Sequence, residues 1–422
     1  MIRSCLALII LGFGSLIGLA LPATAQAADA YRTSGDCDGF PRVPVETPPG
    51  LCVGLVASKL GFARGVTAVG TDVYLIDMGG WAKGRGRLLR LPDRGRGPAQ
   101  VLLSGLDRPN GLIQAGDGRL LVGVVGRVIS VDPKADNPSA SARDIVTGLP
   151  NDGRHPLSAM ALAPDGSLFV NAGSGTDHCE GKRDAAPDPA KPCPETQARP
   201  PRASVLKLTP GPRPVDARPL TPFARGLRNS MALWVLPNGT PLAAVNARDA
   251  IDQADPSLSD AALPHDFYAV LAEGADYGWP YCYDDRKPSP EYPRFDCAKM
   301  QPPTLLLPPH AAPLGMLVYG GTALPGLTGR LIIGYHGYRD DGHTVTALTI
   351  DESGRPQGQP EPVIWSWDAV KGIHPQGSPV ALAEMDDGSI LITEDHNGTL
   401  LRLSRAEAPP PPAHVEPRPA SN

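Results

Sequence analysis

Beyond residue 27 the chain has no apolar run near the ~18 residues that a membrane-spanning helix needs. It has no Cys-x-x-Cys pair, so the usual zinc and dithiol sites are missing, and no Cys-x-x-Cys-His for attaching a haem. No Gly-x-Gly-x-x-Gly stands in a strand–helix setting, which disfavours a nicotinamide dehydrogenase. Excess charge of one sign is also missing. Lys and Arg number 39 against 44 Asp and Glu, a formal charge of −5, so nothing marks a nucleic-acid surface. Aromatic residues are only 5%. What is abundant is Pro and Gly, 49 and 47 of 422 residues, which interrupt helices throughout. Hydrophobic residues still make up 41%, in short Val, Leu and Ile runs that can build a sizeable core, so the chain is not disordered. The length suits one large β architecture or two to three small domains.

Residues 1–27 read as a signal peptide: Arg3, an apolar stretch from Leu6 to Leu21 interrupted by Gly and Ser, then the small-x-small step Ala25-Gln26-Ala27. The mature chain then begins near Ala28 and is expected to be periplasmic or secreted. Cys5 leaves with the signal, and six cysteines remain in three sequence-local pairs. An oxidising compartment predicts the disulfides Cys37–Cys52, Cys179–Cys193 and Cys282–Cys297.

An internal repeat organises the mature chain. Six turn signals each precede an apolar strand: Gly70-Thr71-Asp72, Gly116-Asp117-Gly118, Pro164-Asp165-Gly166, Pro237-Asn238-Gly239, Leu327-Thr328-Gly329 and Asp386-Asp387-Gly388. Asp-Gly and Asn-Gly favour tight hairpins because they tolerate positive φ. Ahead of each turn lies a short apolar strand reached through a polar or Pro-containing step. This predicts an all-β fold over residues 28–406, a six-bladed β-propeller with four-stranded blades plus loop insertions. A two-sheet sandwich is the plainer alternative, and it leaves six copies of one signature unexplained. Gly173 to Arg202, Pro-rich and carrying one Cys pair, lies outside this plan, as does the Pro-rich, disordered-looking tail 407–422.

In a propeller the innermost strand of each blade lines the central channel. The polar steps leading into those strands carry Arg64, Asn110, His155, Arg228, Asn229, His310 and Gln376, which would converge on one mouth. Such a ring of cationic, amide and imidazole groups suits an anionic, planar ligand bearing carboxylates and carbonyls. The same segments offer few carboxylates for a hard cation, which makes a metal-only hydrolase a poorer match.

At these residues the sequence resembles the soluble quinoprotein glucose/sorbosone dehydrogenases, within them the sorbosone dehydrogenase-like branch. The likeness covers most of the mature chain. It is strongest at Gly226-Leu227-Arg228-Asn229-Ser230, Asp276-Tyr277-Gly278-Trp279-Pro280, Tyr335-His336-Gly337-Tyr338-Arg339 and the terminal stretch Gly388 to Arg402. The resemblance implies pyrroloquinoline quinone (PQQ) and Ca2+ at the channel mouth. It implies His155 as catalytic base, with Arg228, Asn229 and Asn246 beside the cofactor and His336 or Arg339 as a basic partner. It also implies that the main-chain carbonyls of Ala247 and Arg248 bind calcium. Arg64, Asn110 and Gln376 complete the expected cofactor ring. Glucose-oxidising members have basic residues where this chain has Gln376-Gly377-Ser378, and Lys near the position of His336. The implied reaction is hydride transfer from an aldose or a sorbosone-like aldehyde to PQQ. With no haem in the chain, electrons would leave through a separate acceptor, a cytochrome or quinone. Two rival readings share the architecture: a calcium-dependent lactonase, and a non-catalytic propeller that binds glycan or protein.

Overall fold

The computed structural model describes residues 30–337, 342–367 and 376–406. The signal segment 1–27, the tail 407–422 and Arg339 therefore lie outside the described residues. The six turn signals all mark the same structural event. Gly70, Gly118, Gly166, Gly239, Gly329 and Gly388 adopt φ values from 59° to 87°, where a side chain would be strained. Each sits between two antiparallel strands, the first and second of a sheet.

Among the described residues six sheets of at least four strands form in this way, the six blades of a β-propeller. Their inner strands are Ala63–Val69, Leu112–Gln114, Met160–Leu162, Asn229–Val235, Pro313–Val318 and Pro379–Glu384. These contact one another in ring order, the last against the first. Small residues allow the close approach. A Cβ on Gly65 would fall 2.4 Å from the Asn110 carbonyl oxygen, and one on Gly315 would fall 2.2 Å from that of Val380. The second blade carries an additional strand, Val215–Asp216, parallel to Arg143–Thr147.

The closing of the ring was not read from the sequence. The strand Thr399–Arg405 is the third of its blade, and the fourth comes from the other end of the chain: Leu51–Ala57 pairs antiparallel with it. The disulfide Cys37–Cys52 fastens that strand to the small hairpin Asp36–Cys37/Phe40–Pro41. The other two expected disulfides, Cys179–Cys193 and Cys282–Cys297, are also formed.

Strand alternation places apolar side chains in both inter-blade layers. In the fifth blade Leu331 and Ile333 pack towards the fourth, while Ile332 between them packs with Ile390, Ile392 and Leu401 of the sixth. Removing both faces of every sheet from water is the main force holding the ring together. No helix among the described residues is long and apolar enough to cross a membrane.

Candidate functional site

The inner strands enclose a channel of about 400 Å³, walled by residues such as Val66, Leu112, Met160, Met231 and Val380. Each inner strand runs away from one mouth and the second strand returns to it. The lead-in to strand one and the loop after strand two therefore share that face. Register shows this directly: Ala63 lies opposite Asp77, and Asn229 opposite Asn246.

Five blades meet in one polar cluster on this face. Buried Arg64 donates from Nε to Asn110 Oδ1 at 2.9 Å and from Nη1 to Asp395 Oδ2 at 2.6 Å. Asn110 Nδ2 donates to the Ser158 carbonyl at 3.2 Å. His336 Nε2 lies 2.9 Å from the second oxygen of Asp395, and its Nδ1 lies 3.0 Å from the Gly337 carbonyl. The His396 ring packs edge-on to His336 at 5.0 Å between centroids. Burial opposes a charge on Asp395, yet His336 and Arg64 hold its carboxyl well below the usual range.

A second cluster gathers around Arg228, also buried. Its Nε donates to the Asp177 carbonyl at 3.2 Å, and its Nη2 to the Asp177 carboxylate and to Asp249 Oδ2 at 3.3 Å. Nη1 lies 3.5 Å from the Asn246 carbonyl. Asn229 Nδ2 donates to Asn246 Oδ1 at 3.1 Å, and Asn246 Nδ2 to the Pro313 carbonyl at 3.0 Å. Asn229 Oδ1 is buried and has no hydrogen-bond partner among the described residues. A Cβ on Gly173 would sit 3.4 Å from that oxygen and 2.7 Å from His155 Cβ, so Asn229 and His155 border the same space over Gly173.

His155 is half-buried, with Nδ1 3.1 Å from the Ser174 carbonyl and 2.9 Å from Ser174 Oγ. The Ser174 hydroxyl itself donates to the Thr176 carbonyl at 2.6 Å, so its oxygen faces the imidazole as an acceptor. Nδ1 therefore carries the hydrogen and Nε2 the lone pair. Nε2 has no partner among the described residues. Burial, and after it the Arg228 cation, lowers the His155 pKa to about 3. The ring is thus a neutral base at ordinary pH.

The remaining expected positions divide. The main-chain carbonyls of Ala247 and Arg248 accept no hydrogen bond from another described residue. Beneath them, Asp266 takes the amides of Ala247 and Ala312, each at 2.7 Å, and its burial pushes the carboxyl up to about 6. The Arg248 side chain pairs with both oxygens of Glu291, at 2.7 and 2.6 Å. His310 is buried, its Nε2 2.7 Å from the Asp260 carbonyl. Gln376 is exposed at the lead-in to the last inner strand and makes no hydrogen bond among the described residues.

One expectation is corrected. The mouth is not a cationic ring poor in carboxylates: Arg64 faces Asp395, and Arg228 faces Asp177 and Asp249. These acids stand on loops after second strands, whereas the sequence reading searched only the lead-ins to first strands. The signal was available, because an antiparallel hairpin returns the end of its second strand to the start of its first. Gly173 to Arg202 is, as expected, an insertion that carries no blade strand, lying between the second and third strands of the third blade. Beyond that expectation, it supplies Ser174 and Asp177 to the site.

No protein-family model matches the chain, and no curated protein matches it. Solved structures do. A Trichoderma reesei carbohydrate-active enzyme of family AA12, solved as an iodide structure, is 18% identical with a TM-score of 0.70, over 89% of this chain and 100% of that one. The holo PQQ domain of pyranose dehydrogenase from Coprinopsis cinerea is 19% identical with a TM-score of 0.65, over 87% and 99%. The PQQ-bound aldose sugar dehydrogenase of Streptomyces coelicolor is 14% identical with a TM-score of 0.57, over 85% and 99%. At such identities the likeness establishes a shared propeller fold, and the chemistry rests on the site.

Proposed function

We propose that the protein is a periplasmic or secreted quinoprotein dehydrogenase that oxidises an aldose or a sorbosone-like aldehyde with PQQ and Ca2+. The observation that carries this reading is the neutral imidazole of His155, its Nε2 lone pair without a partner, held beside the buried Arg228 cation. The residues fit the cofactor. Asn229 Oδ1 is a buried acceptor in want of a donor, such as a pyrrole N–H or a substrate hydroxyl. Arg64, Asn110 and Asn246 each keep a further N–H suited to a carboxylate or carbonyl, and His336 and Gln376 are assigned to the same rim. The Ala247 and Arg248 carbonyls offer oxygen to a hard cation. PQQ with its calcium would supply the electrophilic hydride acceptor.

The protein's own part is acid–base and electrostatic. Nε2 of His155 takes the proton of the substrate hydroxyl. Ser174 keeps the ring in the tautomer that permits this, and Arg228 stabilises negative charge developing beside it. A separate cytochrome or quinone receives the electrons. Visible spectra test the reading: protein incubated with PQQ and Ca2+ should show the oxidised cofactor, and sugar should bleach it. A folded protein whose added PQQ spectrum is unchanged by every aldose and aldehyde tried would overturn it.

One observation favours a calcium-dependent lactonase instead, namely the carboxylates of Asp177 and Asp249 at the mouth. Both are engaged by Arg228, which leaves them poorly placed to bind a cation. Lactone hydrolysis with calcium and without PQQ would select that reading. A folded protein whose melting temperature does not respond to PQQ would select a non-catalytic binding propeller.

A further inference from the structure

The geometry points to Asp177 as a positioning residue that fixes Arg228 and the Ala247–Asp249 segment for the bound cofactor, so that the inserted disulfide loop sets cofactor affinity. This rests on the function proposed above.

Asp177 is almost wholly buried and grips its surroundings with three oxygens. The carboxylate accepts from Arg228 Nη2 and from the Asp249 amide at 3.1 and 3.2 Å, and Arg154 Nη1 pairs with it at 3.2 Å. Its carbonyl accepts from Arg228 Nε at 3.2 Å and from Trp279 Nε1 at 2.9 Å. One residue thus holds two nitrogens of the Arg228 guanidinium, which fixes both the plane and the direction of the fork. It also ties down the amide that follows the paired carbonyls of Ala247 and Arg248. The negative charge is what permits Arg228 to remain charged while buried.

The loop that presents Asp177 is itself over-determined. Glu180 accepts the amides of Asp177 and His178 at 2.9 and 2.8 Å, and Glu195 accepts from Gly175 and Thr176. Cys179–Cys193 closes the loop, the Cys193 amide donates to Tyr281 Oη at 2.8 Å, and Trp279 packs on the cysteine pair. Such bracing exceeds what a surface ornament needs. It is what a fixed counter-charge needs.

The test compares wild type, Asp177→Asn and Cys179→Ser/Cys193→Ser, with exposed Asp188→Asn as control. PQQ binding at fixed calcium is followed by absorbance, and amide exchange by mass spectrometry. Asp177→Asn should weaken PQQ binding at least 10-fold and speed exchange at residues 248–250 by a similar factor. The Cys double variant keeps the charge and should shift both readouts the same way by a smaller factor, and it serves if Asp177→Asn does not fold. Asp188→Asn should match wild type. In an Arg228→Lys background the added effect of Asp177→Asn on PQQ binding should fall below 2-fold, which a purely structural role would not produce. Wild-type PQQ affinity and exchange in both Asp177→Asn and the Cys variant would overturn the inference. A wild type that binds no PQQ would overturn the proposed function, with the exchange readout still reporting whether Asp177 holds the Asp249 segment.

Discussion

The backbone N–H of Ser174 donates to the carbonyl of Arg228 at 2.8 Å, and through that bond the His155 imidazole of the third blade is set beside the Arg228 cation of the fourth. Ser174 also occupies Nδ1 of His155. One residue therefore fixes both the position and the tautomer of the imidazole.

Replacement of His155 by Ala should lower turnover by about 100-fold or more, the usual worth of a positioned general base. Because the His155 pKa is lowered to about 3, wild-type kcat/KM should show no acid limb from this residue between pH 7 and 4. A pH–rate profile checks both statements. A limb near ~6.5, the value of an unperturbed imidazole, would mean that burial and Arg228 do not act on it as described.

The same depression makes His155 a source of acid sensitivity. The unfolded chain takes up a proton on this residue near ~6.5, while the folded protein does so only at about 3. Between those values the unfolded state binds more protons, so stability should fall as pH falls through that window. Urea unfolding at pH 7.5 and pH 4.5 should show a smaller loss for His155→Gln than for wild type. Equal losses in the two proteins would count against the buried neutral ring.

Asp395 behaves oppositely. Its folded-state pKa is held below the unfolded value by His336 and Arg64, against burial, so it contributes stability above ~3.9 that is lost as pH falls further. Asp395→Asn leaves buried Arg64 without its counter-charge and should cost about 3–5 kcal/mol at pH 7. The difference from wild type should begin to narrow below pH ~3.9, where the unfolded wild-type chain takes up a proton that the folded protein does not. Calorimetry across pH 7 to 3 measures this.

Asn229→Ala separates the apo fold from ligand binding. It removes one hydrogen bond, to Asn246, which contributes about 1 kcal/mol, and deletes an acceptor that the protein itself does not satisfy. The melting temperature of the apoprotein should change little, whereas the rise produced by PQQ and calcium should shrink. A full PQQ-induced rise in the variant would remove Asn229 from the binding site.

Most of the fold was legible because turn chemistry repeats. Six glycines at positive φ are a local requirement, and local requirements are written in adjacent residues. Arg64, Asn110, His155, Arg228, Asn229 and His336 were legible for the same reason, each standing beside a recognisable strand start or motif. Asp177, Asp249 and Asp395 could be placed at the mouth from the hairpin return alone, but the arginine each meets is settled only when the blades close. The pairing of Leu51–Ala57 with Thr399–Arg405 was hidden for a like reason. A strand edge states that it needs a neighbour without saying which.

That pairing has a consequence for biogenesis. The sixth sheet lacks its outer member until the last strand to be synthesised meets one of the first, and Arg64 of the first sheet reaches Asp395 of the sixth across the adjoining seam. The polar mouth therefore cannot be finished before Thr399–Arg405 has been made and has met Leu51–Ala57. A chain truncated late, however well its early sheets form, should emerge with an unsealed ring and half a binding surface.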